Sequence, residues 1–391
     1  MNENANRNKA LKEIRKNAKE ANIVRLPSIC RRGCIFCYRK QGGKLLEQRE
    51  ICLHLEPYEF KQFFSHLNFD SQIQFYGADI FDYPKIYEII ELLINKARSE
   101  NKETRFAAIS TFADFDAKKI DLFKSYNKFF LLMSVLTFDT EFKKSIMGGG
   151  WSEKKTRMLK KVISSGIIHT VFIWNFGSIE RLRKDFEIFK ECIKELKKNH
   201  PTKKIELHLN YPSTTKYATL IAKEYNNEAR KTWKEAINLI KEMFLDEEAV
   251  SISTVIINDL ADEDTHLDMY TPRKANVFSY RIKNALSFLG KEGVELNRVG
   301  FITSSACYRY ALNKFPEINW ILAKNEYFGG DVVSAGLLTL DDIEKAVEKN
   351  NKFKYYIMSS LAFQEGKGKK DLLGREIKDF EEKTNSKVFL F

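Results

Sequence analysis

The sequence predicts an α/β chain whose main body is a β/α barrel, open or closed, followed by a C-terminal α/β extension domain. Two observations carry this reading. From about residue 20 to about residue 220, apolar runs of strand length alternate with amphipathic segments of helical period, the pattern of successive βα units on a parallel sheet. Polar residues or glycines then close each strand run, at the ends where the βα loops of such a barrel converge and carry chemistry.

The strand runs, in chain order, are ANIVRL (21–26), QIQFYG (72–77), RFAAIST (105–111), FFLLMSV (129–135), HTVFIW (169–174) and KIELHLNY (204–211). Between them lie helical segments at 56–67, 83–100, 116–126, 151–166 and 179–199, each with apolar residues on one face and Lys, Arg and Glu on the other. Six βα repeats result. The expected domains are a charged N-terminal helix over 1–20, the barrel over 21–230 and an α/β domain over 231–391. In the tail, residues 298–315 read as a strand, a Ser/Thr turn and a helix, and residues 318–330 as a second strand ending in glycines. Ser304 and Ser305 stand where a helix N-terminus holds an anion or is simply capped. Gly329 and Gly330 suit either close backbone approach to a ligand or a tight turn.

Composition narrows the classes. The 391 residues carry 65 Lys and Arg against 53 Asp and Glu, a net charge of +12. Most of the cations stand beside acids on helical stretches such as 181–200, as on solvated helix faces, so the charge leans only weakly toward an anionic partner. No apolar run approaches the roughly 18 residues of a membrane span, and the first twenty residues lack the apolar stretch of a secretory signal. Cys52, Cys192 and Cys307 are scattered, which suits a reducing compartment rather than a disulfide framework. A cytoplasmic location, with no membrane partner, is the expectation.

The most informative motif directly follows the first strand run: Cys30-Arg-Arg-Gly-Cys34-Ile-Phe-Cys37. Three thiolates on one short loop can hold three irons of a cubane cluster and leave the fourth iron without a protein ligand. Zinc takes clustered cysteines too, but wants four ligands, usually as paired sets. Cys52 and His54 are near enough to supply a fourth, within a segment, EICLHLEP, that alternates like a half-buried strand. The competing function is therefore a non-catalytic module stabilised by zinc or an iron–sulfur cluster, binding nucleic acid through Arg31, Arg32, Arg39 and Lys40. Such a module needs neither six βα units nor polar residues at successive strand ends. Those ends carry Tyr76-Gly77-Ala78-Asp79, Ser110-Thr111, Ser134, Asn175-Phe176-Gly177 and Asn210-Tyr211-Pro212.

The CxxxCxφC spacing, with Phe36 as the aromatic φ, resembles the motif of the radical S-adenosylmethionine (radical SAM) superfamily, and the resemblance extends over residues 20 to 220. It implies a partial (β/α)6 TIM-like barrel and a single 4Fe-4S cluster on Cys30, Cys34 and Cys37. S-adenosylmethionine would chelate the open iron, and reductive cleavage would yield a 5′-deoxyadenosyl radical that abstracts hydrogen from a substrate. By the same resemblance, Phe36, Tyr38, Gly77, Asp79, Ser110, Ser134, Lys143 and Asn175 form the cofactor-binding set. Gly77-Ala78-Asp79 stands where the superfamily often has Gly-Gly-Glu, and Lys143 stands where it often has an arginine, with Lys144 as the alternative. Thr111 accompanies Ser110, and Tyr211 and Lys216 are expected to face the pocket with Tyr38 and Asn175. The reductant would be a flavodoxin or ferredoxin. The substrate, small-molecule, peptide or RNA, stays open.

Residues 324–347 resemble the uncharacterised domain that follows the barrel in radical SAM proteins beginning with a PDZ-like domain, and YPSTTKYA (211–218) resembles a segment of the same group. No PDZ-like domain precedes the barrel here, and the Glu-Asn-Gly stretch expected between about 245 and 300 is missing. Only Cys307 lies beyond the barrel, too few thiols for a second cluster, and Met269 replaces the glycine a cobalamin-binding motif would need after Asp264.

Overall fold

A computed structural model of the chain describes residues 3–26, 30, 32–37, 55–77, 79–254, 272–330, 335–350, 353–363 and 369–391. The zinc alternatives Cys52 and His54, the pocket candidate Tyr38, and Ala78, Asp264 and Met269 lie outside the described residues. The chain divides into two compact units, residues 1–212 with 219–255, and residues 213–218 with 256–391.

The first unit opens with α1 (Glu3–Ala21). It continues through β1 (Ile23–Arg25), α2 (Pro57–Phe64), β2 (Ile73–Tyr76), α3 (Ile86–Ser99), β3 (Phe106–Ser110) and α4 (Ile120–Lys124). Next come β4 (Phe129–Leu136), α5 (Thr140–Ile146), α6 (Glu153–Ser164), β5 (Ile168–Trp174), α7 (Ile179–Asn199) and β6 (Ile205–Asn210). It closes with α8 (Leu220–Lys231), α9 (Trp233–Phe244) and β7 (Val250–Thr254). The seven strands form one parallel sheet in sequential order, as the βα alternation requires. This is the partial barrel the sequence predicts, with one strand more than the six read from it. VSIST, the seventh, is short and three-fifths Ser and Thr, which hides it from an apolar-run reading, yet it pairs with β6 from Ile205↔Val250 to Leu209↔Thr254.

Alternation sorts each strand into two faces. Leu131, Met133, Val171, Ile173, Leu207 and Leu209 are fully buried, as are Ile89 and Ile90 of α3, Leu159 and Val162 of α6 and Phe186 and Phe189 of α7. Ser134, Phe172, Trp174, His208 and Asn210 occupy the alternate positions and are only half-buried. Helices therefore cover one face, and the other is available for a site.

The second unit contains α10 (Pro272–Lys291), β8 (Val299–Ser304), α11 (Ser305–Lys314), β9 (Trp320–Ala323), α12 (Leu340–Glu348), β10 (Tyr355–Met358), α13 (Ile377–Thr384) and β11 (Lys387–Leu390). Its four parallel strands run in the order β11-β10-β8-β9. Ile302, Ile321, Tyr356 and Met358 pack with Leu340, Ile343, Val347, Ile377 and Phe380 of α12 and α13. Val299, Phe301, Trp320 and Ile357 pack with Ile282, Ala285 and Leu289 of α10 and Ala311 of α11. Helices thus lie on both faces, the doubly wound arrangement. Gly330 and Gly329 prove to approach the chain's own backbone: a Cβ on Gly330 would stand 2.1 Å from the Thr214 carbonyl oxygen, and the Lys216 amide donates to the Phe328 carbonyl at 2.8 Å.

Candidate active site

The cysteine loop begins where β1 ends. The Leu26 amide still donates to the Tyr76 carbonyl at 2.7 Å, extending the β1–β2 ladder by one residue. The loop is then fastened to the far end of α5: the Gly33 amide donates to the Met147 carbonyl at 2.9 Å and the Ile35 amide to the Ile146 carbonyl at 3.0 Å. Two glycines permit this contact. A Cβ on Gly148, whose φ is +73°, would lie 2.8 Å from the Gly33 Cα, and a Cβ on Gly33 would lie 3.1 Å from the Gly148 Cα. The residue between the last two cysteines anchors the loop from the other side, with the buried Phe36 ring 4.6 Å from Trp174 and 5.8 Å from Phe176, centroid to centroid.

Cys30, Cys34 and Cys37 are half-buried and none is in a disulfide. Among the described residues no group of three or more His, Cys, Asp and Glu side chains is already arranged to hold a metal ion. Burial pushes the Cys30 thiol up, opposed by hydrogen bonds from the backbone at Arg32 and Asp79. Those contacts tie the first cysteine to the end of β2. There Gly77 is needed for close approach, since a Cβ would stand 2.5 Å from the Leu26 carbonyl oxygen.

Asp79, expected to meet the cofactor, is bound into the protein. Its carboxylate accepts from the Phe81 amide at 3.3 Å, the Thr111 amide at 2.7 Å, and the Ser110 and Thr111 hydroxyls. It both caps the short 3-10 turn Ile80–Asp82 and clamps the end of β3 to the end of β2. Ser110 in turn accepts from the Phe112 amide at 2.8 Å. Beside this clamp Arg32 bridges Asp82 at 2.5 Å and Asp114 at 2.6 Å. Burial, with the hydrogen-bonded Asp114 beside it, lifts the Asp82 carboxyl to about 7. Asp114 is held down at about 2, partial burial being outweighed by its hydrogen bonds to Asp82 and Arg32. The loop arginine is thus held between two acidic residues.

Lys143 is the least expected geometry. It is 0% exposed, its Nζ has no hydrogen-bond partner, and it lies 3.6 Å from the centroid of the Trp151 ring. The indole is fixed by its Nε1 donating to Thr156 at 3.0 Å, and Thr156 shares a second hydrogen bond with Thr140 of α5 at 2.7 Å. Burial drives the Lys143 amine well below its ordinary value, with Asp185, Cys34 and Asp79 the charged groups that oppose the shift. Lys144, the alternative, is exposed and stands 3.9 Å from Glu141. Of the two lysines, only Lys143 is turned into the protein.

The other candidates are less uniform. Ser134 is half-buried on the open face of β4. Asn175 is fully buried and is bonded within the unit, donating to the Ala229 carbonyl and the Thr232 hydroxyl and accepting from the Gly177 amide. Its side chain holds the end of β5 to α8 and α9. Tyr211 is buried, with its ring 5.6 Å from that of Trp233. Lys216 belongs to the second unit, with its Nζ above Tyr217 and Tyr327. Ser304 caps no amide, and its hydroxyl is buried without a partner.

Sequence reasoning missed a polar group on the open face. Ser253 donates its single hydroxyl proton to the Glu206 carboxylate at 2.6 Å, so His208 Nδ1, 2.7 Å from the same oxygen, must be the donor to Ser253. In the neutral ring Nε2 then carries the lone pair. The register sets Ser134, Phe172, His208 and Ser253 in one row across four strands. Only the Glu-x-His alternation within KIELHLNY hints at it in the sequence.

Residues 24–180 match the family model of the radical SAM superfamily. The cysteine loop, the β2 end and Lys143 all fall inside that stretch. Among solved structures the chain is similar to Streptococcus suis SuiB bound to S-adenosylmethionine, at 14% identity and TM-score 0.38, covering 64% of this chain and 55% of that one. It is similar to anSMEcpe with bound AdoMet, at 16% identity and TM-score 0.42, covering 59% and 62%. It is also similar to SuiB bound to its precursor peptide SuiA, at 13% identity and TM-score 0.38, covering 69% and 60%. The chain thus spans less than two-thirds of each. No match was found among curated proteins. Among the described residues no helix is long and apolar enough to cross a membrane.

Proposed function

We propose that the first unit is a radical SAM enzyme with one 4Fe-4S cluster held by Cys30, Cys34 and Cys37. The observation that carries this reading is the buried, unpartnered Lys143 amine in electrostatic reach of Cys34. A buried amine without an acceptor costs several kcal/mol unless an anion completes it, and the carboxylate of S-adenosylmethionine is an anion of the right kind. When bound, cluster and S-adenosylmethionine supply a 5′-deoxyadenosyl radical by reductive cleavage, for hydrogen abstraction from the substrate.

The chain's own residues orient and enclose. Gly33 and Gly148 set the loop's height, Phe36 fixes it laterally, and the Asp79 clamp holds the β2 and β3 ends at one level. Lys143 takes the methionine carboxylate as a point charge. His208, held by Ser253, lies on the open face in register with Phe172. The reductant is a flavodoxin- or ferredoxin-like protein, and the substrate is a small molecule, peptide or RNA. The test is anaerobic reconstitution of wild type and Lys143→Met. Both should carry iron and sulfide, while S-adenosylmethionine binding to the variant should fall about 10- to 100-fold, the worth of a charge-assisted hydrogen bond. Equal binding would remove the support Lys143 gives.

A further inference from the structure

The second unit contains a cavity of about 420 Å³ between α10 and the β11 edge of its sheet. It is within the roughly 300–1,000 Å³ range of small-molecule sites. One stripe of α10 lines it: Arg281, Asn284, Ala285 and Phe288 recur at i, i+3, i+4 and i+7, a single helical face. Ile357 and Phe389 of the sheet and Lys369 complete the parts of the lining that bear on a ligand.

The chemistry of this lining is one-sided. No Asp or Glu side chain lines the cavity, and Phe391, the last residue of the sequence, lines it with its oxygen accepting from the Ser360 amide at 3.0 Å. Among the described residues neither Arg281 nor Lys369 has an ion-pair partner, whereas Arg375, Lys345 and Lys383 of the same unit are all paired with acids. Asn284 adds an amide with no hydrogen bond of its own among the described residues. Phe288 is 41% exposed, and its ring packs against Phe389 at 5.1 Å and an interplanar angle of 69°. Two cations, one amide with both donor and acceptor, and an exposed aromatic ring are the complement of a planar ring carrying an anionic group.

We propose that this cavity binds a nucleoside monophosphate. The phosphate is taken by Arg281 and Lys369, the base stacks on Phe288, and Asn284 meets the base edge. The site lies wholly within the second unit and does not depend on the reading of the first.

The test uses the full chain, saturated with S-adenosylmethionine so that adenosine recognition by the first unit is already occupied. AMP is titrated calorimetrically, with adenosine, inorganic phosphate and a single-stranded oligoadenylate as separate arms. AMP is expected to bind saturably, at least 10-fold tighter than adenosine or phosphate alone. Arg281→Ala and Phe288→Ala should each weaken it about 10- to 100-fold, and the exposed Lys369→Glu at least as much. Far-UV circular dichroism melting confirms that the variants fold, and with three independent variants one misfolded chain leaves the test decisive. No AMP binding, or AMP binding unchanged in all folded variants, overturns the proposal. Oligoadenylate binding far tighter than AMP overturns it in favour of an RNA surface.

Discussion

Gly148→Ala tests how the cysteine loop is held. At φ +73° an alanine sits in the left-handed region, at a cost of roughly 1–2 kcal/mol. Its Cβ would also stand 2.8 Å from the Gly33 Cα and 3.2 Å from the Gly33 carbonyl carbon and oxygen, all backbone atoms that cannot rotate away. The loop must lift, stretching the bonds from the Gly33 and Ile35 amides to Met147 and Ile146, at about 0.5–1.5 kcal/mol each. The total is about 2–5 kcal/mol, much of the margin of a typical domain, and it falls on the loop that carries all three cysteines. Gly150→Ala is the control, since Gly150 has the same φ of +73° but nothing within 4 Å of its Cβ, so it bears the backbone cost alone. Iron and sulfide content after anaerobic reconstitution, with thermal unfolding of the cofactor-free chain, reads both effects. Gly148→Ala should lose most of its cluster and melt several degrees below Gly150→Ala. If the two variants load and melt alike, the contact between Gly33 and Gly148 does not position the loop.

Further expectations follow from other groups. Asp79→Ala strips three donors at the β3 end of their acceptor, so it should lower stability by about 2–4 kcal/mol and weaken S-adenosylmethionine binding while the cluster still assembles. Lys143→Met removes a buried amine without a hydrogen-bond acceptor, and the cofactor-free chain should melt higher than wild type even as the loaded chain loses affinity. Burial, and then Lys203 at 3.2 Å, lower His169 from 6.5 to about 4. The unfolded chain therefore binds the extra proton first: the stability present above about 6.5 is lost as pH falls toward about 4, by up to about 3 kcal/mol. His169→Phe should flatten that part of the pH dependence of urea unfolding, and an unchanged slope would show that His169 is not its source.

The barrel was legible because parallel strands covered by helices must be written as apolar runs alternating with amphipathic segments, and α7 spans the same residues, 179–199, that the periodicity marks. The seventh strand was not, because Ser251, Ser253 and Thr254 break the apolar run while serving the pairing equally well. The cysteine loop pointed to its proposed chemistry through spacing alone. Its supports did not: that Gly33 must meet Gly148, or that Arg32 must be held by Asp82 and Asp114, depends on which segments fold together across fifty residues or more. Asp79 and Asn175 show what spacing leaves open. A polar residue at a strand end marks the level of the site, but whether it faces ligand or clamps a neighbouring strand is decided by partners, such as Thr111 and Thr232, that spacing does not reveal.

The central claim is that Cys30, Cys34 and Cys37 form the reactive metal centre of a radical enzyme. The most direct measurement is dithionite-dependent release of 5′-deoxyadenosine and methionine from S-adenosylmethionine by the anaerobically reconstituted chain. The account predicts a brown protein with about four irons per chain that releases 5′-deoxyadenosine, with release abolished by Cys34→Ala. A colourless protein that retains zinc and leaves S-adenosylmethionine intact would contradict it.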